Sequence, residues 1–128
     1  MIESSIWTKR TGYALTGIAG LFFVMDAVMK LLQLPVVFET MAQLGWPTSS
    51  VMPLAVILLV GTILYLVPRT SVLGAVLLTG YLGGAIATHA RIGSPLLTHT
   101  LFGAYMGVVM WGGLYLRDAA LRAIFPVR

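Results

Sequence analysis

Four long apolar runs alternate with short polar breaks along the chain, and this pattern predicts an all-α protein. The runs cover approximately residues 11–33, 51–67, 71–90 and 98–116. Each is close to the length that a helix needs to cross a hydrocarbon core of about 30 Å at about 1.5 Å per residue. A less apolar segment at 36–46, bounded by Pro35 and Pro47, predicts a short interfacial helix. Residues 1–128 are therefore expected to form a single transmembrane domain, an integral membrane four-helix bundle with a short interfacial helix between the first two spans.

Composition strengthens the membrane interpretation and excludes several kinds of chemistry. Hydrophobic residues make up 59% of the 128 residues, charged residues 9%, and the mean hydropathy is +0.95, which is far from the composition of a soluble domain. The expected environment is the lipid bilayer. Cysteine is absent, which excludes disulfides and thiolate metal sites. The basic residues stand singly at helix ends, so no nucleic-acid partner is expected.

The positions of the basic residues predict the orientation of the chain. With four spans, two basic residues, Lys30 and Arg91, fall on one side of the membrane. The other side carries Lys9, Arg10, Arg69, Arg117, Arg122 and Arg128. Because loops rich in Lys and Arg stay in the cytoplasm, both termini are expected to be cytoplasmic in a multi-pass protein of the inner (plasma) membrane.

Small residues at four-residue spacing predict where the helices approach one another. Gly80 and Gly84 lie on one face of the third span, and Gly103 and Gly107 repeat the spacing on the fourth. A second series on the third span consists of Ala75, Thr79, Gly83 and Ala87. Such series favour close helix packing in lipid. The second span, including Leu58, is strongly aliphatic and is expected to face lipid.

Ionisable residues at membrane depth are candidates for a ligand site, since each is costly there unless it is paired or hydrated. The predicted topology gathers five of them at the outer end of the bundle: Asp26, Lys30, His89, Arg91 and His99. Asp26 and Lys30 are four residues apart and are expected to be neighbours. Their pair is either a stabilising one close enough to water for Lys30 to reach it, or a contact for protons or ligands inside the bundle.

The two histidines lead to different expectations. His99 shares a helical stripe with Gly103 and Met106 and is expected to point at neighbouring helices, whereas His89 is expected to lie away from the Gly80 and Gly84 face. Arg91 is expected over that face. No His or Glu spacing typical of a metal site occurs within one helix, so no metal is expected. The histidines either line a pocket for a headgroup, a quinone or an anion, or hydrogen-bond loop carbonyls.

Several stretches together resemble the DoxX-like family of small four-helix bacterial membrane proteins. They are GAVLLTGYLGGAIATHARIGSP at 74–95 with His99 after it, WGGLYLRDAALRAIFP at 111–126, DAVMKL at 26–31, Phe38 with Met41, LGWP at 44–47 and YLVPR at 65–69. DAVMKL, Phe38 and Met41 with LGWP, and YLVPR stand where the family has its KL, LGxP and PR segments. The resemblance covers nearly the whole chain. The wider group resembles subunits of thiosulfate:quinone oxidoreductase or membrane partners of redox proteins, and it supplies no catalytic constellation to carry over.

Two functions remain open from the sequence. The first is an accessory or ligand-binding subunit of a membrane redox system, with a quinone, lipid or anion bound by the outer polar residues and a redox protein as partner. The second is a small oligomeric transporter or permease, which intramembrane charge and glycine-rich helices favour. An independent catalytic activity is not expected, because no set of nucleophile, base and orienting group is present. The sequence establishes no cofactor and leaves quinone as a candidate, and a homo-oligomer is expected under the second function.

Overall fold

The structure, a computed structural model, describes residues 6–126. Arg128, one of the residues in the charge count, lies outside this range. Between residues 6 and 126 the chain forms helices and turns without a strand, as the apolar pattern predicts. The α-helices of this part are α1 (Ile6–Leu31), α2 (Pro35–Leu44), α3 (Val51–Leu66), α4 (Ser71–Arg91), α5 (Phe102–Arg117) and α6 (Ala119–Ile124).

The breaks between helices follow local backbone chemistry. Pro35 occupies the first turn of α2, where its missing N–H costs nothing. Gly45 closes α2 in the left-handed region at φ +80°, which glycine adopts without a Cβ penalty. Pro68 opens a one-turn 3-10 segment, Pro68–Thr70, that reverses the chain between α3 and α4. The helix expected at 36–46 is therefore present as α2.

The four long helices, α1, α3, α4 and α5, pack in a ring. Helix α1 lies against α5 and α3, and α4 lies against α3 and α5. One continuous apolar core fills the ring, with fully buried side chains from every member, including Phe23, Leu58, Leu78 and Met110. Helix α2 packs outside the ring on a smaller cluster made by Val37, Met41 and Val51.

Three helical segments among residues 6–126 are long and apolar enough to cross a membrane: Ile6–Leu31, Thr48–Leu66 and Pro68–Arg91. They correspond to the first three predicted spans. The fourth predicted span, 98–116, is divided by a π-helical turn, Leu96–Thr100, that precedes α5. This leaves α5 with 16 residues, or about 24 Å at about 1.5 Å per residue, which is shorter than a bilayer core.

The tightest helix contacts lie at other glycines than the predicted ones. A Cβ built on Gly74 would come within 2.2 Å of the backbone nitrogen of Tyr65, and one on Gly12 within 2.9 Å of the backbone nitrogen of Arg117. Of the predicted positions, Gly103 is close-packed, with Leu82 O at 2.9 Å from such a Cβ. A Cβ built at any of three predicted contact positions, Gly80, Gly83 and Gly84, would have no atom of another helix within 4 Å. Those residues do not hold helices together.

The expectation that the second span faces lipid is wrong for one face of α3. Leu58 and Tyr65 are fully buried, and Thr62 is 1% exposed. Helix α3 packs between α1 and α4, so one side of it is core whatever its hydropathy. An all-aliphatic helix has no polar face to reveal which side is buried.

A hydrogen-bond network joins four helices at the end of the ring where α1 begins and α5 ends. Arg117 Nε donates to Thr16 Oγ1 at 2.9 Å, and Arg117 Nη2 donates to the carbonyl oxygen of Tyr65 at 3.3 Å and to Ser71 Oγ at 3.4 Å. The Tyr65 hydroxyl donates to the carbonyl oxygen of Met110 at 2.7 Å. These bonds connect α1, α3, α4 and α5. The hydrogen-bond partners that they give to the Arg117 guanidinium are hydroxyl and carbonyl oxygens, and none of them is a carboxylate.

Candidate functional site

A cavity of about 740 Å³ lies at the opposite end of the ring from Arg117. Helices α1 to α4, the π-helical turn and the start of α5 all contribute to its wall. Most of the wall is apolar or aromatic, including Phe22, Phe23, Met41, Leu54, Ile57 and Phe102. A volume of this size and an apolar lining with a few polar groups are typical of a small-molecule site.

The principal charged groups of the cavity are Asp26 and Lys30. They form the predicted ion pair one helical turn apart on α1, with the Lys30 ammonium donating to Asp26 Oδ1. The Lys30 side chain is 9% exposed, so it does not extend to water as one of the two interpretations required, whereas the Asp26 side chain is 27% exposed. The pair therefore adds two strong hydrogen-bonding groups to the cavity wall but no net charge.

Tyr81 on α4 completes this polar group. Its ring centroid lies 6.0 Å from Lys30 Nζ, and its side chain lines the same cavity. Sequence reasoning missed Tyr81, although a signal was available. Tyr81, Gly84 and Thr88 follow at three, four and seven residues, the spacing of one helical face, and all three line the cavity.

His89 and His99 meet at the cavity wall. Their ring centroids are 5.9 Å apart and the rings are tilted by 65°. His89 Nδ1 pairs with Ser94 Oγ at 2.9 Å, and His99 Nδ1 pairs with Thr98 Oγ1 at 2.7 Å, so the nitrogen available for a further hydrogen bond in each ring is Nε2. The expectation that His89 lies away from the glycine face is wrong, since it lines the cavity together with Gly84.

Arg91 takes a different position from the other four predicted residues. Its Nη2 donates to the carbonyl oxygen of Leu44 at 2.8 Å, at the C-terminal end of α2. The guanidinium thus satisfies a helix-end carbonyl, where a cation is also favoured by the helix dipole. Arg91 is not part of the cavity wall, and it fastens α2 to the end of α4 instead.

Trp46 is a second cavity residue whose place the sequence did not reveal. Trp46 lies between the end of α2 and Pro47, and its side chain lines the cavity. The left-handed Gly45 turns the chain at the end of α2, so that Trp46 is brought over the ring. Thr40 and Met41 of α2 reach the cavity as well. Helix α2 is therefore part of the site and not only a connection.

This arrangement defines a class of protein: a small all-helical membrane protein with a mostly apolar cavity that also carries a few polar side chains. A comparison of the sequence with known protein families identifies the family to which the chain belongs. Residues 14–113 match the pattern of the DoxX-like family, and because this is more than half of the 128 residues, the chain belongs to the DoxX-like family. No curated protein and no solved structure matches the chain.

Proposed function

We propose that the protein is an integral membrane ligand-binding subunit that holds a quinone-like headgroup in the 740 Å³ cavity. The observation that carries the proposal is the lining of that cavity. Aromatic side chains of Phe22, Phe102 and Trp46 line a space that hydrogen-bonding side chains also line. A flat ring with carbonyl oxygens has matching chemistry, an apolar face and polar edges.

An uncharged headgroup suits the cavity better than an anion. The Lys30 charge is already balanced by Asp26, and Arg91, the other expected cation, is engaged by α2. The groups that remain for the ligand are hydrogen-bond donors, the Tyr81 hydroxyl and an imidazole N–H of His89 or His99. Each suits a quinone carbonyl oxygen, and none requires the ligand to carry charge.

The membrane placement that we propose has four crossings, with α5 and the preceding π-helical turn as the fourth. Residues 96–117 together are long enough for this, and the resulting topology puts both termini on the side of Arg69 and Arg117. Because that side holds most basic residues, we propose that it is cytoplasmic and that the membrane is a bacterial inner membrane. The cavity then lies toward the outer face.

An accessory role is the simplest one for such a cavity. Among residues 6–126, His89 and His99 pair with the hydroxyls of Ser94 and Thr98, and no carboxylate orients either ring. We therefore assign electron transfer to or from the ligand to a partner redox protein. The resemblance of the wider DoxX group to quinone-linked subunits supports this assignment.

The proposal is tested by titrating the purified protein in detergent with menadione, a quinone without a hydrocarbon chain. Quinones quench tryptophan fluorescence, and in a Trp7→Phe, Trp111→Phe background only Trp46 reports. We expect saturable quenching that Tyr81→Phe and His99→Ala each weaken about five- to tenfold, as the loss of one hydrogen bond of about 1 kcal/mol implies.

The matched control is Thr79→Val, a polar side chain on α4 that lies outside the cavity lining. It should leave menadione affinity unchanged. Non-saturable quenching, or affinities of Tyr81→Phe and His99→Ala equal to that of the parent protein, would contradict the proposed function.

A further inference from the structure

Among the glycines of the α3–α4 hairpin, those near its turn are closely packed. Close to the turn, a Cβ on Gly74 would overlap the backbone of Tyr65, and one turn further a Cβ on Gly61 would come within 2.9 Å of Leu78 Cδ2. Further along α4, the surroundings of the glycines are open. The positions of Gly80 and Gly84 have no atom within 4 Å of a built Cβ, although both line the cavity.

Side chains along the gap between α3 and α4 belong to the cavity and to the outer surface at once. Ile57 on α3 is 50% exposed and Leu77 on α4 is 43% exposed, and both line the cavity. Gly80, near the middle of α4, is also exposed, and as a glycine it has no side chain that could fill the gap. The cavity therefore reaches the outer surface of the ring between α3 and α4, which both belong to segments long and apolar enough to cross a membrane.

The charged side chains and the aliphatic side chains of the gap lie at different positions along the helices. Asp26, Lys30 and His89 lie toward the α2 end, whereas Ile57 and Leu77 lie nearer to the α3–α4 contact. A volume of about 740 Å³ accommodates a headgroup and the first carbons of a chain, so a longer chain has to leave the cavity. The gap between α3 and α4 is lined by aliphatic side chains, which suits a hydrocarbon chain.

We propose that the ligand is a membrane-resident amphiphile whose hydrocarbon chain passes between α3 and α4 into the bilayer while its headgroup stays in the cavity. This inference rests on the proposed function, since it names the ligand class for the same site. It implies that ligand exchange takes place with the lipid phase and that the headgroup does not have to cross water.

The test compares two quinones with the same ring, menadione and the menaquinone that carries a four-unit isoprenoid chain. Both are titrated in detergent, with Trp46 as reporter, against the parent protein, Gly80→Leu and Gly83→Leu. Gly83 is a matched control, because it lies on the same helix in equally empty surroundings but does not line the cavity. Ile57→Phe obstructs the gap from α3 without adding a second tryptophan, and it serves if Gly80→Leu does not fold.

We expect Gly80→Leu and Ile57→Phe to weaken binding of the chain-bearing quinone at least tenfold and to change menadione binding less than twofold. Gly83→Leu should leave both affinities unchanged. Equal weakening of both quinones, or no weakening of either, would overturn the chain path while the cavity remains a quinone site. If neither quinone binds the parent protein, the proposed function itself fails.

Discussion

Replacement of Gly74 by alanine tests the helix contact that most constrains the fold. A Cβ at this position would lie 2.2 Å from Tyr65 N, 2.6 Å from Tyr65 Cα and 2.7 Å from Gly61 O. All three are backbone atoms of α3, so no side-chain rotation can relieve the overlap. Since non-bonded carbon atoms pack at about 3.5–4.0 Å, α3 and α4 would have to separate by about 1 Å.

The expected cost follows from two opposing terms. Overpacking of a buried contact costs about 1–3 kcal/mol, and the upper end applies here because the obstacle is backbone. Separation would also weaken the hydrogen bond from Ser71 Oγ to the Tyr65 carbonyl oxygen, which is 2.8 Å long and buried beside the contact. The higher helix propensity of alanine offsets about 1 kcal/mol. A net destabilisation of about 2 kcal/mol is expected for Gly74→Ala.

Gly83→Ala is the matched control on the same helix. No atom lies within 4 Å of a Cβ at Gly83, so only the propensity term acts and the variant should be stabilised by up to about 1 kcal/mol. The two variants should therefore differ by about 3 kcal/mol in the free energy of unfolding. The assay is reversible denaturation with a denaturing detergent, followed by far-UV circular dichroism and Trp fluorescence.

The reasoning is refuted if Gly74→Ala is as stable as the parent protein, or if the two variants differ by less than about 1 kcal/mol, below the overpacking cost expected at Gly74. Either result would mean that α3 and α4 do not touch at Gly74.

Three further predictions concern burial, hydrogen bonding and orientation. Leu58→Ala should cost about 2–5 kcal/mol in the same denaturation assay because Leu58 is fully buried, while Ile63→Ala at a 53% exposed position should cost much less; equal costs would mean that α3 has no core face. Tyr65→Phe should cost about 0.5–1.5 kcal/mol through loss of its hydrogen bond to Met110 O, and an unchanged stability would contradict that contact. A reporter fused after the last residue should be active only as a cytoplasmic fusion, and a periplasmic signal would invert the proposed orientation.

Part of the candidate site was predictable because ionisable residues in apolar helices are informative wherever they occur. Asp26 and Lys30 were expected as neighbours from their spacing alone, and they are. His89 was misplaced because an ideal helical wheel does not show how wide a cavity is, and residues at the edge of a face still reach it. Arg91 was misplaced since its long side chain found a carbonyl on α2, which is distant in sequence.

The fourth predicted span shows the same limit for the fold. Hydropathy counts apolar residues and does not register how the backbone is hydrogen-bonded, so the π-helical turn at Leu96–Thr100 was invisible in the sequence. The bounds of α1, α3 and α4 were close to the prediction, because proline and glycine end these helices locally.

The sequence by itself determined the environment of this protein, its helical class, the approximate helix bounds and the pairing of Asp26 with Lys30, since each depends on composition or on residues within one or two turns. The tertiary structure decided which glycines are contacts and which are empty space. Gly74 and Gly80 are indistinguishable as residues of one apolar helix, yet the first touches the backbone of α3 and the second borders a cavity. Gly80 lies six residues after Gly74 and therefore about 120° around the helix from it, on a face that α3 does not touch. Which face of α4 meets α3 is a property of the packed ring and of no single segment.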